Sequence, residues 1–287
     1  MPFRTIWKSS LKFRIGVIIF MTLVIAAVFH QLIITWYLGP DVNVPEAGSS
    51  GAIFQDPSWK HPLGTDRFGR DWLGMILVSL PVSLTVSVLA AIISVTLGST
   101  VGFVAGFKGG KIDTVLRMLT DILIVVPTFP LIMVLAAYAR ALSTVELALA
   151  ISIFAWATSA RVIRTQVLSL RERPYIELSR MTNMSDREII IQDILPNMIP
   201  YLGINLAQAT ISSAFALVGL TVLGLAPRGL TDLGALVNLS LSWAVLSLGN
   251  WWIFAAPVAV LTALFFGLAM VNMGMEEFYN PRLRGTS

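Results

Sequence analysis

The chain contains no cysteine, which excludes disulfides, iron–sulfur clusters and thiolate metal sites. It has only two histidines, His30 and His61, too few for a histidine-based metal site or proton relay. Charge is scarce as well. Asp, Glu, Lys and Arg make up 13% of the residues, against about 25% in a soluble domain. The sequence also lacks a Walker A segment: the Gly-Lys pair at Gly110-Lys111 is followed by Ile112, and Ala105 stands where the first glycine belongs. ATP binding by that route is therefore excluded. No Ser-His-Asp set, HExxH run or carboxylate dyad falls inside an apolar run, so nothing points to an enzyme.

What remains is apolar. Hydrophobic residues make up 56% of the chain and the mean hydropathy is +0.79. Several runs exceed the roughly 18 residues that mark a membrane span. The sequence predicts an all-α membrane protein with six transmembrane helices, at about 15–38, 82–107, 115–138, 145–165, 199–223 and 251–274. Residues 1–14 are a basic N-terminal segment, and the run after them is too long for a signal peptide, so it reads as a retained first span. Residues 39–80 form a loop rich in Pro and Gly. It ends in a short interfacial helix, Asp71–Leu80, stopped by Pro81. Residues 81–275 form the transmembrane domain and 276–287 a tail. The net charge of +4 suits the inner leaflet of a lipid membrane better than nucleic acid.

Orientation follows from Lys and Arg. With the N-terminus in the cytoplasm, fifteen fall on the cytoplasmic side and five (Lys60, Arg67, Arg70, Arg140, Arg228) outside. The reverse topology would violate the positive-inside bias. Both termini are thus expected in the cytoplasm, together with the polar stretch 171–197.

That stretch, RERPYIELSRMTNMSDREIIIQDILPN, carries nine charges. Each would cost about 2.5–3.5 kcal/mol at the bilayer centre, so it lies in water between two spans. It reads as two short helices. Pro174 suits a first turn, and Asn183 suits a left-handed turn. Ser185 and Glu188 form a capping box. The second helix carries Ile189, Ile190, Ile191, Ile194 and Leu195 and is expected to stop near Pro196.

The segment ELSRMTNMSDREIIIQDILPN resembles the EAA signature of importer-type ABC permeases, with Leu178 for Ala and Asn183 for the usual Gly. Residues 61–71, HPLGTDRFGRD, resemble a segment of the dipeptide/oligopeptide (Dpp/Opp) branch, C-type subunit. So do the run Arg161–Leu170 and the ending Asn280-Pro281-Arg282-Leu283-Arg284. Pro81 and Leu233-Gly234 depart from that pattern. The resemblance implies a type I ABC importer permease fold. It also implies an ATPase-coupling site at Tyr175, Glu177, Leu178, Ser179, Arg180, Asn183, Met184 and Ser185, and an ordered outer loop with His61, Gly64, Asp66, Gly69, Arg70 and Asp71. The implied partners are a homologous second permease, two ABC ATPase subunits that hold ATP and Mg, and an extracytoplasmic solute-binding protein. The implied location is the prokaryotic plasma (inner) membrane. Peptides are the expected solute, with oligosaccharides or nickel as alternatives; an ion-coupled secondary transporter or a membrane scaffold are more distant ones.

Other residues have two readings. His61 and Asp66 lack metal-ligand spacing, and Asp66 and Asp71 read as acceptors for local amides or for Arg67 and Arg70. Asp121 lies inside the third span and is expected to pair with Arg117, four residues earlier. Pro127 and Pro130 are expected to kink that span. Gly98, Gly102 and Gly106 mark a close helix approach, either within the chain or against a second permease. Asn205, Gln208, Thr210, Ser212 and Ser213 put polar groups on the fifth span, either as a pathway wall or as interhelical hydrogen bonds.

Overall fold

The computed structural model describes residues 6–7, 10–39, 53–138, 142–225 and 230–279. The C-terminal Asn280–Arg284 motif, Arg4, Lys8, Arg140 and Arg228 lie outside the described residues. Among the described residues these helices follow one another: α1 Leu11–Val28, α2 His30–Leu38, α3 Trp72–Lys108, α4 Gly110–Val125, α5 Thr128–Tyr138, α6 Thr144–Arg171, α7 Pro174–Met181, α8 Asp186–Val222, α9 Leu233–Ser242 and α10 Trp251–Tyr279. Five are long and apolar enough to cross a membrane, and the pair α4–α5, bent by 69°, makes a sixth if it counts as one span.

The break in that pair follows from sequence. Helix α4 ends at Val125, Val126 is extended, and Pro127 lies in the gap before α5. A residue before proline is pushed out of the helical region, so the expected kink is a full interruption.

Pro81 does not act this way. Helix α3 runs through it for 37 residues, about 55 Å, so the interfacial helix and the second span are one rod. A mid-helix proline costs about 3 kcal/mol. Here Leu77, Leu80 and Leu84 are buried on either side of it, and that packing offsets the lost bond. Asp71 starts the rod by accepting the Gly74 amide at 2.6 Å. Gly109 and Gly110, both with positive φ, end it and turn the chain straight into α4.

The central packing is α3 against α6. A Cβ on Gly98 would stand 2.6 Å from both the Trp156 carbonyl and Ser159 Cβ. On Gly102 it would stand 2.8 Å from the Ala160 carbonyl, and on Gly106 2.9 Å from the Arg164 carbonyl. The glycine stripe therefore serves packing within the chain. A second core gathers Trp72, Met75, Leu233, Leu236 and Ile253 at the end of the bundle opposite the polar stretch, where the Trp72 indole donates to the Ile253 carbonyl at 2.8 Å.

Candidate functional site

The polar stretch 171–197 is rooted in the bundle. Ile176 of α7 and Ile189 and Ile194 of α8 are fully buried, packed with Phe103, Phe107, Ile163, Val167 and Met198 from α3, α6 and α8. Arg171 donates to the Phe107 carbonyl at 3.1 Å, and the Arg180 guanidinium lies 5.4 Å over the Phe107 ring. The opposite face is bare. Leu178 is 63% and Met181 71% exposed, with Tyr175 exposed beside them. Glu177 and Arg180 flank them, also exposed, while Ser179 is half-buried and donates to the Tyr175 carbonyl at 3.1 Å. Large apolar side chains are thus left exposed together on an otherwise polar segment.

Local geometry fixes this shape. Arg173 precedes Pro174 at the first turn of α7. Asn183 adopts φ 56°, the left-handed turn its residue type favours, and Met184 folds back half-buried against the core. Ser185 and Glu188 make the reciprocal capping box. Hydrogen bonds from the Ser185 hydroxyl and then its amide hold the Glu188 carboxyl below its usual range.

The second helix does not stop at Pro196. It continues as α8 to Val222 through a π-helical turn, Ile189–Ile194, in which the Leu195 amide reaches back to Ile190. A π turn widens the helix by one residue. The missing proline amide and the bulk of its ring fall at the end of that widened turn. The second short helix and the fifth span therefore belong to one continuous rod, to which the Asn183 turn joins the bare patch on α7.

Between α5, α6, α8 and α10 lies a cavity of about 1080 Å³. Asn205, Gln208 and Ser212 line it from α8, Thr158 and Ser159 from α6, and Asn272 and Glu276 from α10. Ser159 donates to Asn205 Oδ1 at 3.0 Å. Asn272 Nδ2 donates to Glu276 Oε1 at 3.2 Å and to Gln208 Oε1 at 3.4 Å. Ser213 also lines the cavity. Thr210 does not: it is buried on another face of α8 and donates to the Leu206 carbonyl at 2.8 Å. Phe129 of α5 seats its ring against Gly219, 3.0 Å from where a Cβ would stand, and lines the cavity.

At that far end, residues 53–72 form an ordered loop. Asp66 is fully buried and accepts the amides of Phe68 and Arg70 at 2.8 and 2.9 Å and the Arg70 guanidinium at 2.6 Å. Asp71 holds the Gly74 amide, the Tyr37 hydroxyl at 2.7 Å and His61 Nδ1 at 2.9 Å. It thereby ties α2, the loop and α3 together. Gly64 has positive φ, and a Cβ there would strike the Gln55 carbonyl at 2.2 Å; Gly69, also at positive φ, closes the turn before Arg70. Phe54, Phe68 and Trp72 all pack on Trp243. Among the described residues no group of three or more His, Asp or Glu could hold a metal. Replacing Asp66 by Ala leaves the Arg70 guanidinium, 15% exposed, without its carboxylate. The expected cost is about 3 kcal/mol or more, read as a lower thermal midpoint in detergent.

Residues 98–285 match the family described as binding-protein-dependent transport system inner membrane component. The chain belongs to that family. Among curated relatives, the oligopeptide transport system permease protein OppC of Mycobacterium tuberculosis (strain H37Rv) is 31% identical over 236 residues, 81% of this chain and 80% of its own. That of Bacillus subtilis (strain 168) is 27% identical over 289 residues, 98% and 91%. That of Lactococcus lactis subsp. cremoris (strain SK11) is 29% identical over 218 residues, 73% of each chain. The protein is thus a multi-pass permease subunit of the inner membrane.

Two features of the permease escape its sequence pattern. Asp121 pairs chiefly with Arg161 of α6, at 2.6 Å, and only loosely with the expected Arg117, at 4.0 Å; Arg164 holds Asp113 in the same way. Both pairs tie α4 to α6, and helical spacing within one segment cannot reveal a partner 40 residues away. The other is Asp232, which caps α9. It accepts the amides of Gly234 and Ala235 and the Thr221 hydroxyl at 3.0, 3.2 and 3.0 Å. An Asp before an apolar run was the available signal.

Burial pushes the Asp232 carboxyl up to about 6. The sign follows: stability tied to the neutral acid is complete below about pH 4 and is lost as pH rises through about 6. The expected difference between wild type and Asp232→Asn therefore changes by about 3 kcal/mol across that window, measured by denaturation at each pH.

Proposed function

We propose that this permease forms the pathway of an ATP-driven peptide importer and takes its motion through the 171–197 element. The observation that carries this is the two-sided build of that element: Ile176, Ile189 and Ile194 rooted in the bundle, and Tyr175, Leu178 and Met181 bare. On this reading the element lies in the cytoplasm, as the Lys and Arg distribution requires, and docks in a groove of an ABC ATPase. ATP and Mg bind on two such ATPase subunits, and the permease itself is non-catalytic. Closure of the ATPases shifts α7 and the start of α8. Because α8 is one rod through the π turn, the shift tilts the cavity wall bearing Asn205 and Gln208. Two states with different contacts at the docking patch would then interchange.

The family description and the cavity support the remaining partners. A binding protein delivers solute on the far side, where the 53–72 loop is ordered. A homologous second permease completes the cavity between α5, α6, α8 and α10. The named relatives are oligopeptide permeases, which supports peptides as the solute. Uptake of a labelled tripeptide by cells with and without this gene tests the reading. Loss of ATP-dependent uptake on deletion is the expected result, and unchanged uptake would refute it.

A further inference from the structure

We infer that the cavity contains a site for the peptide main chain, formed by Asn205 and Gln208 and read without regard to side-chain identity; this rests on the peptide reading above. Asn205 is only 9% exposed. Its carbonyl oxygen is taken by the Ser159 hydroxyl, which fixes the plane of the amide. Among the described residues its Nδ2 has no partner, and neither have Ser213 Oγ and Asn272 Oδ1, two further buried polar atoms of the same cavity. Buried polar atoms are paired in the great majority of cases, because an open one costs free energy. Three around one cavity mark a place where something else supplies the partners.

The chemistry of those partners is a peptide group. A side-chain amide presents a donor and an acceptor in one plane, matching the N–H and C=O of a main chain. Glu276 and Arg173, near the inner end, are the charged residues that line the cavity. Apolar side chains, among them Ile132, Ile151, Phe154 and Ile204, line much of the rest of the wall and suit side chains of varied size. Asn205, Gln208 and Ser212 recur at three and four residues along one face of α8, spanning about 10 Å. An extended peptide advances about 3.4 Å per residue, so the stripe matches about three residues.

The test uses the assembled transporter in proteoliposomes, with binding protein and ATP, and two substrates: trialanine and its analogue with one peptide group replaced by an ester, which loses the N–H that Gln208 Oε1 would accept and leaves a weaker carbonyl acceptor for Asn205 Nδ2. The readout is the ratio of their uptake rates in wild type, Asn205→Leu and Gln208→Leu. The binding protein contributes the same factor in every case and cancels. Wild type is expected to favour trialanine, and the ratio is expected to fall about fivefold to tenfold in at least one variant, as for the loss of one hydrogen bond. Gln208 is exposed, so its variant folds even if the buried one does not. Ratios equal to wild type in both variants would overturn the inference while leaving the peptide reading intact. Uptake of neither substrate by wild type would overturn the peptide reading itself.

Discussion

Glu177→Arg is expected to reduce ATP-driven uptake by at least about tenfold while leaving the permease folded. Glu177 is exposed on α7 and makes no ion pair among the described residues. Its reversal therefore breaks no ion pair within the described chain and gives up only an acid in the first turn of α7, worth about 0.3–1 kcal/mol. It sits between Tyr175 and Leu178, in the middle of the bare patch. The helix PYIELSRM carries one acid and one base, and the reversal makes it doubly positive. Losing one member of a charge pair at an interface costs about 2–5 kcal/mol, more than the tenfold effect requires. Two measurements separate docking from folding: copurification of the ATPase with the variant, expected to fall, and the thermal midpoint of the variant alone, expected to stay. A fall in both would place Glu177 in the fold instead.

Gly98→Val is expected to act in the opposite place, abolishing the fold without touching the patch. The new Cβ would stand 2.6 Å from the Trp156 carbonyl, and a carbonyl in the middle of α6 has no room to yield. The helices must separate, and the close contacts at Gly102 and Gly106 then open with them. Overpacking a core site costs about 1–3 kcal/mol where side chains can adjust. Here backbone meets backbone, and a β-branched residue adds further bulk, so the effect exceeds that range. Membrane accumulation below about a tenth of wild type is expected, since native stability is only about 5–15 kcal/mol. Normal accumulation of Gly98→Val would show that α3 and α6 are not packed as described.

Much of this architecture was legible because membrane helices announce themselves by length and hydropathy. The turn at Asn183 and the capping box at Ser185 and Glu188 were legible for a different reason: each is a local bond pattern fixed by residues a few positions apart. What escaped was set by tertiary context. Pro81 and Pro196 read as helix ends because each lacks an amide, yet α3 carries Pro81 between buried leucines, and a π turn receives Pro196. Pro127 did break its span, where α4 has only Thr120 buried and little packing to hold the helix through. Thr210 shares its helix with Asn205 and Gln208 but faces elsewhere. Asp121 found Arg161 across a helix interface that no single-segment pattern encodes.

The most direct measurement exploits the lack of native cysteine. A Leu178→Cys variant carries one thiol, at the centre of the bare face. A short bifunctional reagent is expected to link it to the ATPase subunit in the assembled transporter, with a yield that changes on ATP binding. A membrane-impermeant maleimide is expected to reach it only from the cytoplasmic side. Labelling from the outside of intact cells, or no cross-link to any other subunit, would contradict the account.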